Sequence, residues 1–203
     1  MQSLWKTTGI GAVLLMQTVL TTRAWADEPK APTSAEDLAQ IVAEAGKPGA
    51  EHAKLAPLAG NWTYTGKFWL DPGKPPIEST GTVERHWLLG KRFLGEKVVG
   101  TGFDGKPGFE GLGLLGFDKS QNKYTMTWAS NMSTNTCSGS GQADPSGKKF
   151  TFHTECYCPV RKKIVQGRDE VRLEGPDKTV IETYQSDDGK ETKVMELVAE
   201  RKK

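Results

Sequence analysis

Cys137, Cys156 and Cys158 are the only cysteines in this sequence, and their spacing carries its most definite chemistry. The turn signal Asp144-Pro145-Ser146-Gly147 separates the first from the other two. A hairpin centred on Ser146-Gly147 sets position 137 opposite 156. Moving the centre by one residue sets it opposite 158. Cys156 and Cys158 share a strand face with Phe150 and Phe152. In an oxidising compartment such a pair forms a disulfide, so a bridge from Cys137 to Cys156 or Cys158 is expected, with one thiol left over. The competing chemistry is a metal held by three thiolates and His153. Cys-x-Cys is not a structural-zinc spacing, and no metal is assigned.

A second cluster lies in Val83-Glu84-Arg85-His86-Trp87. If this run is a strand, alternate residues face opposite ways. Either Glu84 and His86 or Arg85 and Trp87 then face inward, and an inward polar group can orient a ligand. Trp128, Ser130, Asn131, Ser133 and Thr134 run from aromatic to polar. They can line a pocket mouth, or satisfy backbone groups in a turn. The candidate ligand-binding residues are Tyr64, Glu84, His86, Trp128 and Asn131. Motifs for a serine nucleophile elbow, a phosphate loop, a two-histidine zinc helix or a dinucleotide are all absent, and no cofactor is assigned.

The elements that would position these residues are strands. His52 to Leu70 opens with a helical turn, pivots at Gly60-Asn61-Trp62, and then alternates. Trp62, Tyr64, Phe68 and Leu70 fall on one face; Thr63, Thr65, Lys67 and Trp69 fall on the other. About nine further strands follow, separated by Gly, Pro and Asp turns. They run over residues 77–89, 92–99, 109–117, 124–130, 133–142, 149–157, 163–173, 179–186 and 192–200. Gly111 and Gly113 share a face with Phe109, which marks a bend or close backbone approach. Short strands on short turns make an antiparallel meander, and a sheet of this many twisted strands closes to remove its edges. The expected fold is all-β: an antiparallel up-and-down barrel of about ten strands with a short N-terminal helical segment. A two-sheet sandwich is the alternative. In the helical segment, Thr33 and Glu36 have capping-box spacing, and Leu38, Ile41, Val42 and Ala45 form an apolar stripe that should pack on the barrel.

The address is written at the start. Met1 to Lys6 is short and basic, Ile10 to Leu20 is apolar, and Ala24-Trp25-Ala26 is a small-x-small cleavage site. This predicts a signal peptide over 1–26, a linker and amphipathic helix over 27–49, and a barrel domain over 50–203. The apolar run is shorter than the roughly 20 residues that span a bilayer, so no stable membrane anchor is expected. The location is periplasmic or secreted. Residues 1–26 hold Lys6 and Arg23 and no acid, which leaves 25 basic residues against 25 acidic ones. A neutral chain argues against a nucleic-acid partner, which needs clustered basic charge.

Gly60-x-Trp62 at the head of the first strand resembles the calycin pattern of lipocalins and fatty-acid-binding proteins. The resemblance implies that Trp62 plugs a closed end and that Arg201, after the last strand, lies over its ring. A longer set resembles the bacterial domain of unknown function 1579 family across roughly residues 50 to 201. It comprises His52-x-x-Leu55-x-x-Leu58-x-Gly60-x-Trp62, Leu89-Gly90-Lys91-Arg92-Phe93-Leu94, Phe109-Glu110-Gly111-x-Gly113, Gly116-Phe117-Asp118 and Lys123-Tyr124-x-x-x-Trp128. Met132-Ser133-Thr134, Asp188-Gly189-Lys190-Glu191 and Met195-Glu196-Leu197 complete it. Lys91 stands where a second glycine is usual, and Asn131 where an aspartate is usual. The family has no agreed activity. Three readings follow: a barrel that binds a small apolar or amphipathic molecule, an enzyme using Glu84 or His86 as acid or base, and a non-catalytic structural or partner-binding barrel.

Overall fold

A computed structural model describes residues 34–71, 73–159, 161–187 and 189–203. The expected signal peptide lies outside the described residues. Two helices, α1 (Ala35–Ala45) and α2 (Ala50–Ala53), and a 3₁₀ turn (Ala56–Leu58) precede ten strands. These are β1 (Gly60–Phe68), β2 (Ile77–Leu88), β3 (Phe93–Thr101), β4 (Pro107–Asp118) and β5 (Lys123–Ser130), followed by β6 (Thr136–Ala143), β7 (Lys149–Cys158), β8 (Lys163–Leu173), β9 (Lys178–Asp187) and β10 (Lys190–Arg201). Each strand pairs antiparallel with the next, and β1 pairs with β10, so the sheet is a closed barrel and not a sandwich. Closure leaves no unpaired strand edge.

The alternation on β1 sets the inside. Trp62, Tyr64 and Gly66 are buried while Asn61, Thr63, Thr65 and Lys67 are exposed. The ladder carries this face around the wall. Trp62 lies opposite Val83 on β2 and Arg201 on β10. Phe150 lies opposite Val171, and Val171 opposite Ile181.

The end from which β1 starts is plugged. The segment before β1 lays Leu55 and Leu58 against Leu94, Tyr124, Phe150, Phe152 and Val171. The Tyr124 hydroxyl donates to the Glu51 backbone carbonyl (2.9 Å) and carboxylate (2.8 Å), which ties α2 to β5. Burial and the Glu51 charge raise the Tyr124 pKa, so the phenol stays protonated and keeps donating. Trp62 completes this end. Its Nε1–H donates to the Leu58 carbonyl (3.0 Å), and the Arg201 guanidinium sits 4.1 Å from its ring centroid. Arg201 also donates to the carbonyls of Ala59 (2.7 Å), Pro57 (2.8 Å) and Pro176 (3.1 Å). Gly60 has φ +125°, and a Cβ there would collide with Arg201 Nη1. Glycine at this position is therefore required twice, by backbone conformation and by the arginine.

The N-terminal helix departs from expectation. Its cap is Ser34, which accepts from the Asp37 N–H (3.0 Å), and not Thr33. Its apolar stripe does not pack on the barrel: Leu38, Ile41 and Val42 are 51%, 54% and 62% exposed. The helix is tethered through the Lys119 ammonium, which donates to the Glu44 carbonyl (2.9 Å).

Candidate ligand-binding site

The barrel interior divides in two. Near the plug Leu55, Leu94, Tyr124, Phe150 and Phe152 are at most 1% exposed, while Trp87, Leu115 and Phe117, packed against this cluster, are partly buried. Toward the other end the inward positions Phe109, Trp128, Ser130, Thr183, Gln185 and Met195 keep partial exposure. These partly exposed inward positions mark the unplugged end of the barrel.

Its wall is built on close approach. A Cβ at Gly111 would overlap the Trp128 ring, and one at Gly113 would come within 3.4 Å of it. The glycine-rich strand thus lets the Trp128 indole lie against bare backbone, which is the physical content of the alternating glycines in β4. Tyr64 is treated the same way. Its ring covers Gly81 and Gly100, and its hydroxyl shares a hydrogen bond with Ser79 Oγ (3.1 Å), which donates to the Thr101 carbonyl (2.7 Å). With its hydroxyl so engaged and its surface buried, Tyr64 is wall and not a free ligand group.

The charge run on β2 resolves against Glu84 and His86. Both are exposed on the outer face, and Arg85 is the inward residue. The register decides this: Trp62 lies opposite Val83, so the inward face of β2 carries 83, 85 and 87. Asn131 directly follows β5. It sits in the β5–β6 turn, donates from Nδ2 to the Gly108 carbonyl (2.6 Å) and accepts at Oδ1 from the Glu110 N–H (3.1 Å). It fastens that turn to β4, using a donor and an acceptor together, which a carboxylate cannot supply.

The cysteines close one side of the lumen. Cys137 and Cys156 form a disulfide across β6 and β7, with Cα atoms 4.5 Å apart, and Cys158 is free and half-buried. Among the described residues no three His, Cys, Asp or Glu side chains converge as a metal site. His153 faces outward while Cys156 faces in, so the four-ligand set considered above cannot assemble.

Polar groups that sequence reasoning did not single out also reach the interior, among them Glu96, Asp169 and Thr183. Period-two alternation carries the signal, since Glu96 lies between Leu94 and Val98, and Asp169 between Gly167 and Val171. Arg85 Nε donates to Glu96 Oε2, forming an ion pair with side chains 3% and 12% exposed. Arg85 Nη1 and Asp169 Oδ1 are buried without a hydrogen-bond partner among the described residues. The ion pairs on the outer wall of β8–β10 are by contrast mutually satisfied. Glu182 takes both Arg172 and Lys193, which hold its carboxyl down at about 2.

Burial pushes the Asp169 carboxyl above the usual carboxylate range, and Thr183 beside it pulls back only in part. Its folded-state value therefore exceeds its unfolded one. No penalty exists below the unfolded value of about 3.9, and the penalty grows as pH rises through the folded value. Asp169→Asn should accordingly raise the melting temperature at pH 8 and do little at pH 4. Thermal melts at the two pH values check this; an equal gain at both would contradict it.

A closed ten-stranded antiparallel barrel, plugged at one end by a tryptophan under an arginine, is a calycin-like barrel. The chain belongs to the family described as "Protein of unknown function (DUF1579)", which it matches over residues 47–201. Among solved structures it resembles Rv2717c from M. tuberculosis, at 19% identity and a TM-score of 0.58, over 77% of this chain and all of that one. It also resembles the S-type phycobiliprotein lyase CPES from Guillardia theta, at 11% identity and a TM-score of 0.51, over 77% of this chain and 99% of that one. At these identities the likeness is one of fold. No curated protein matches.

Proposed function

We propose that this protein is an exported barrel that binds one small amphipathic molecule in the accessible half of its lumen. The observation that carries the reading is that inward-facing Trp128, Thr183 and Gln185 keep partial exposure at the unplugged end. Small barrels of this kind hold a single ligand against an apolar wall with a few polar groups to orient it. Trp128 supplies that wall, and Arg85, Glu96 and Asp169 supply the polar groups. Export fits the disulfide and the predicted signal peptide over 1–26. Glu84 and His86, on the outer face, take no part in this site.

The test is titration with the uncharged fluorophore N-phenyl-1-naphthylamine. Saturable binding of one probe per chain is expected, with quenching of Trp128. Thr183→Phe and Gln185→Phe, which fill the lumen, should abolish binding while keeping a cooperative melt; Glu84→Gln should leave it unchanged. Wild-type protein that takes up no probe, or filled variants that bind as wild type does, would overturn the reading.

A further inference from the structure

Large apolar side chains stand exposed around the unplugged end of the barrel. Leu70 lies in the β1–β2 turn, Phe103 in the β3–β4 turn and Met132 in the β5–β6 turn. Tyr157 and Ile164 lie opposite each other where β7 and β8 reach the same rim. All five are at least 39% exposed. Among the described residues, the β2–β3, β4–β5, β6–β7 and β8–β9 turns at the plugged end expose only Leu89 of this size and kind. Apolar surface gathered at one end of a molecule marks a contact surface. The tips are held in place. The Phe103 ring meets Phe68 edge-on at 5.3 Å between centroids, and the Gly102 N–H donates to the Lys106 carbonyl (2.9 Å) across that turn. Asn131 pins the Met132 turn to Gly108 and Glu110. The Trp69 N–H, just before Leu70, donates to the Val194 carbonyl (2.9 Å). Tips ordered in advance lose little freedom on contact.

Arrangement and charge decide what these tips meet. They stand on separate strand connections, with the barrel mouth between them. A protein partner would need a separate pocket for each. A bilayer interface accepts isolated apolar side chains anywhere in its plane. Basic side chains flank the tips: Lys74, Lys106, Arg161, Lys162 and Lys163 are exposed, against Asp71 and Asp104 in the same turns and Asp187 at the end of β9. Asp71 pairs with Lys74 (3.5 Å), and Asp187 with Lys163 (3.0 Å) and Arg161 (3.6 Å). Five basic groups against three acids leave these connections two positive charges in excess. Apolar tips with basic flanks suit a reversible interfacial contact, in which lysine stems lie along the apolar layer and their ammonium groups meet lipid phosphates. We infer that the unplugged end docks on a phospholipid bilayer that carries anionic lipid, through Leu70, Phe103, Met132 and Ile164. The inference stands on the outer rim and holds whether or not the lumen takes a ligand. Docked in this way, the barrel turns its mouth to the lipid surface.

The experiment is co-sedimentation of the folded protein with sucrose-loaded vesicles, either of phosphatidylcholine alone or of phosphatidylcholine with one quarter phosphatidylglycerol. The wild type should partition onto the mixed vesicles, and more weakly onto phosphatidylcholine alone. Leu70→Ser/Met132→Ser/Ile164→Ser should lose at least about tenfold in partitioning onto the mixed vesicles. Lys106→Gln/Lys162→Gln should bind the mixed vesicles more weakly and phosphatidylcholine as the wild type does, because lysines act through the lipid charge. Leu89→Ser, at the plugged end, should bind as the wild type does. A cooperative melt for each variant excludes misfolding as the source of a lost signal. A wild type that stays in the supernatant, or that binds both vesicles equally, would overturn the inference. So would a triple serine variant that binds as the wild type does, or a Leu89→Ser variant that loses as much as the triple. Sedimentation equilibrium supplies the last arm. A wild-type dimer that the triple serine variant reduces to a monomer would make a second copy of this chain the occupant of the rim, and would overturn the bilayer.

Discussion

Trp62→Ala should lower the melting temperature by about 6–20 °C. The indole is fully buried at the plugged end, packed with Tyr64, Val83, Val98, Leu197 and Ala199. Removing a core tryptophan costs about 3–5 kcal/mol through lost transfer energy and the cavity left behind. For a domain of this size each kcal/mol moves the midpoint by about 2–4 °C. The loss is broader than one side chain. Trp62 Nε1–H satisfies the Leu58 carbonyl, so alanine leaves that acceptor unpaired beneath the plug. It also strips the ring from under Arg201 and from beside Arg85. Trp62→Phe separates these effects. It keeps an aromatic face for Arg201 and gives up the hydrogen bond, so its loss should fall clearly below that of alanine. Differential scanning calorimetry checks both; an alanine variant that melts with wild type would mean that the plug does not hold the barrel closed.

Much of this architecture was legible in the sequence because strand alternation and turn chemistry are local. The alternation from Trp62 onward and the turn signals placed ten strands and their meander. They did not say which face of Val83-Glu84-Arg85-His86-Trp87 turns inward. A strand rich in charge on both faces carries little apolar contrast, and only pairing with β1 breaks the tie. The apolar stripe of α1 misled for a related reason. Periodicity identifies an apolar face but not whether a neighbour covers it. Glu96 and Asp169 were readable from their apolar flanks but are single polar residues in otherwise ordinary strands. Their meaning comes from closure, which turns one face of the sheet into a lumen. Lys91, where the resemblance implies glycine, shows what local context can absorb. It adopts φ +66° after Leu89 at +47° and Gly90 at +64°, a turn that glycine enters without strain and lysine does not.

The disulfide should contribute about 3 kcal/mol to stability, because Cys137 and Cys156 are 19 residues apart and the bridge removes the corresponding loop entropy from the unfolded chain. The double variant Cys137→Ser/Cys156→Ser should therefore melt about 6–12 °C below wild type, and reduction of the wild type should reproduce that shift. A single Cys156→Ser change is not equivalent. Cys158 lies two residues further along the same inward face, where its thiol remains available to Cys137. Thiol titration of unfolded, unreduced protein should find one group per chain, and three after reduction. Three before reduction would contradict the bridge, and peptide mapping that joined Cys156 to Cys158 would contradict the hairpin register. The bridge also bears on the lumen. Trp128 lies directly opposite Cys137 in the ladder, so the disulfide braces the strand next to the indole wall. Reduction should accordingly weaken N-phenyl-1-naphthylamine binding at temperatures well below the melt. If instead the reduced, folded protein bound the probe as tightly as the oxidised one, the bridge would support the fold alone and Trp128 would hold its place through the Gly111 and Gly113 contacts by themselves.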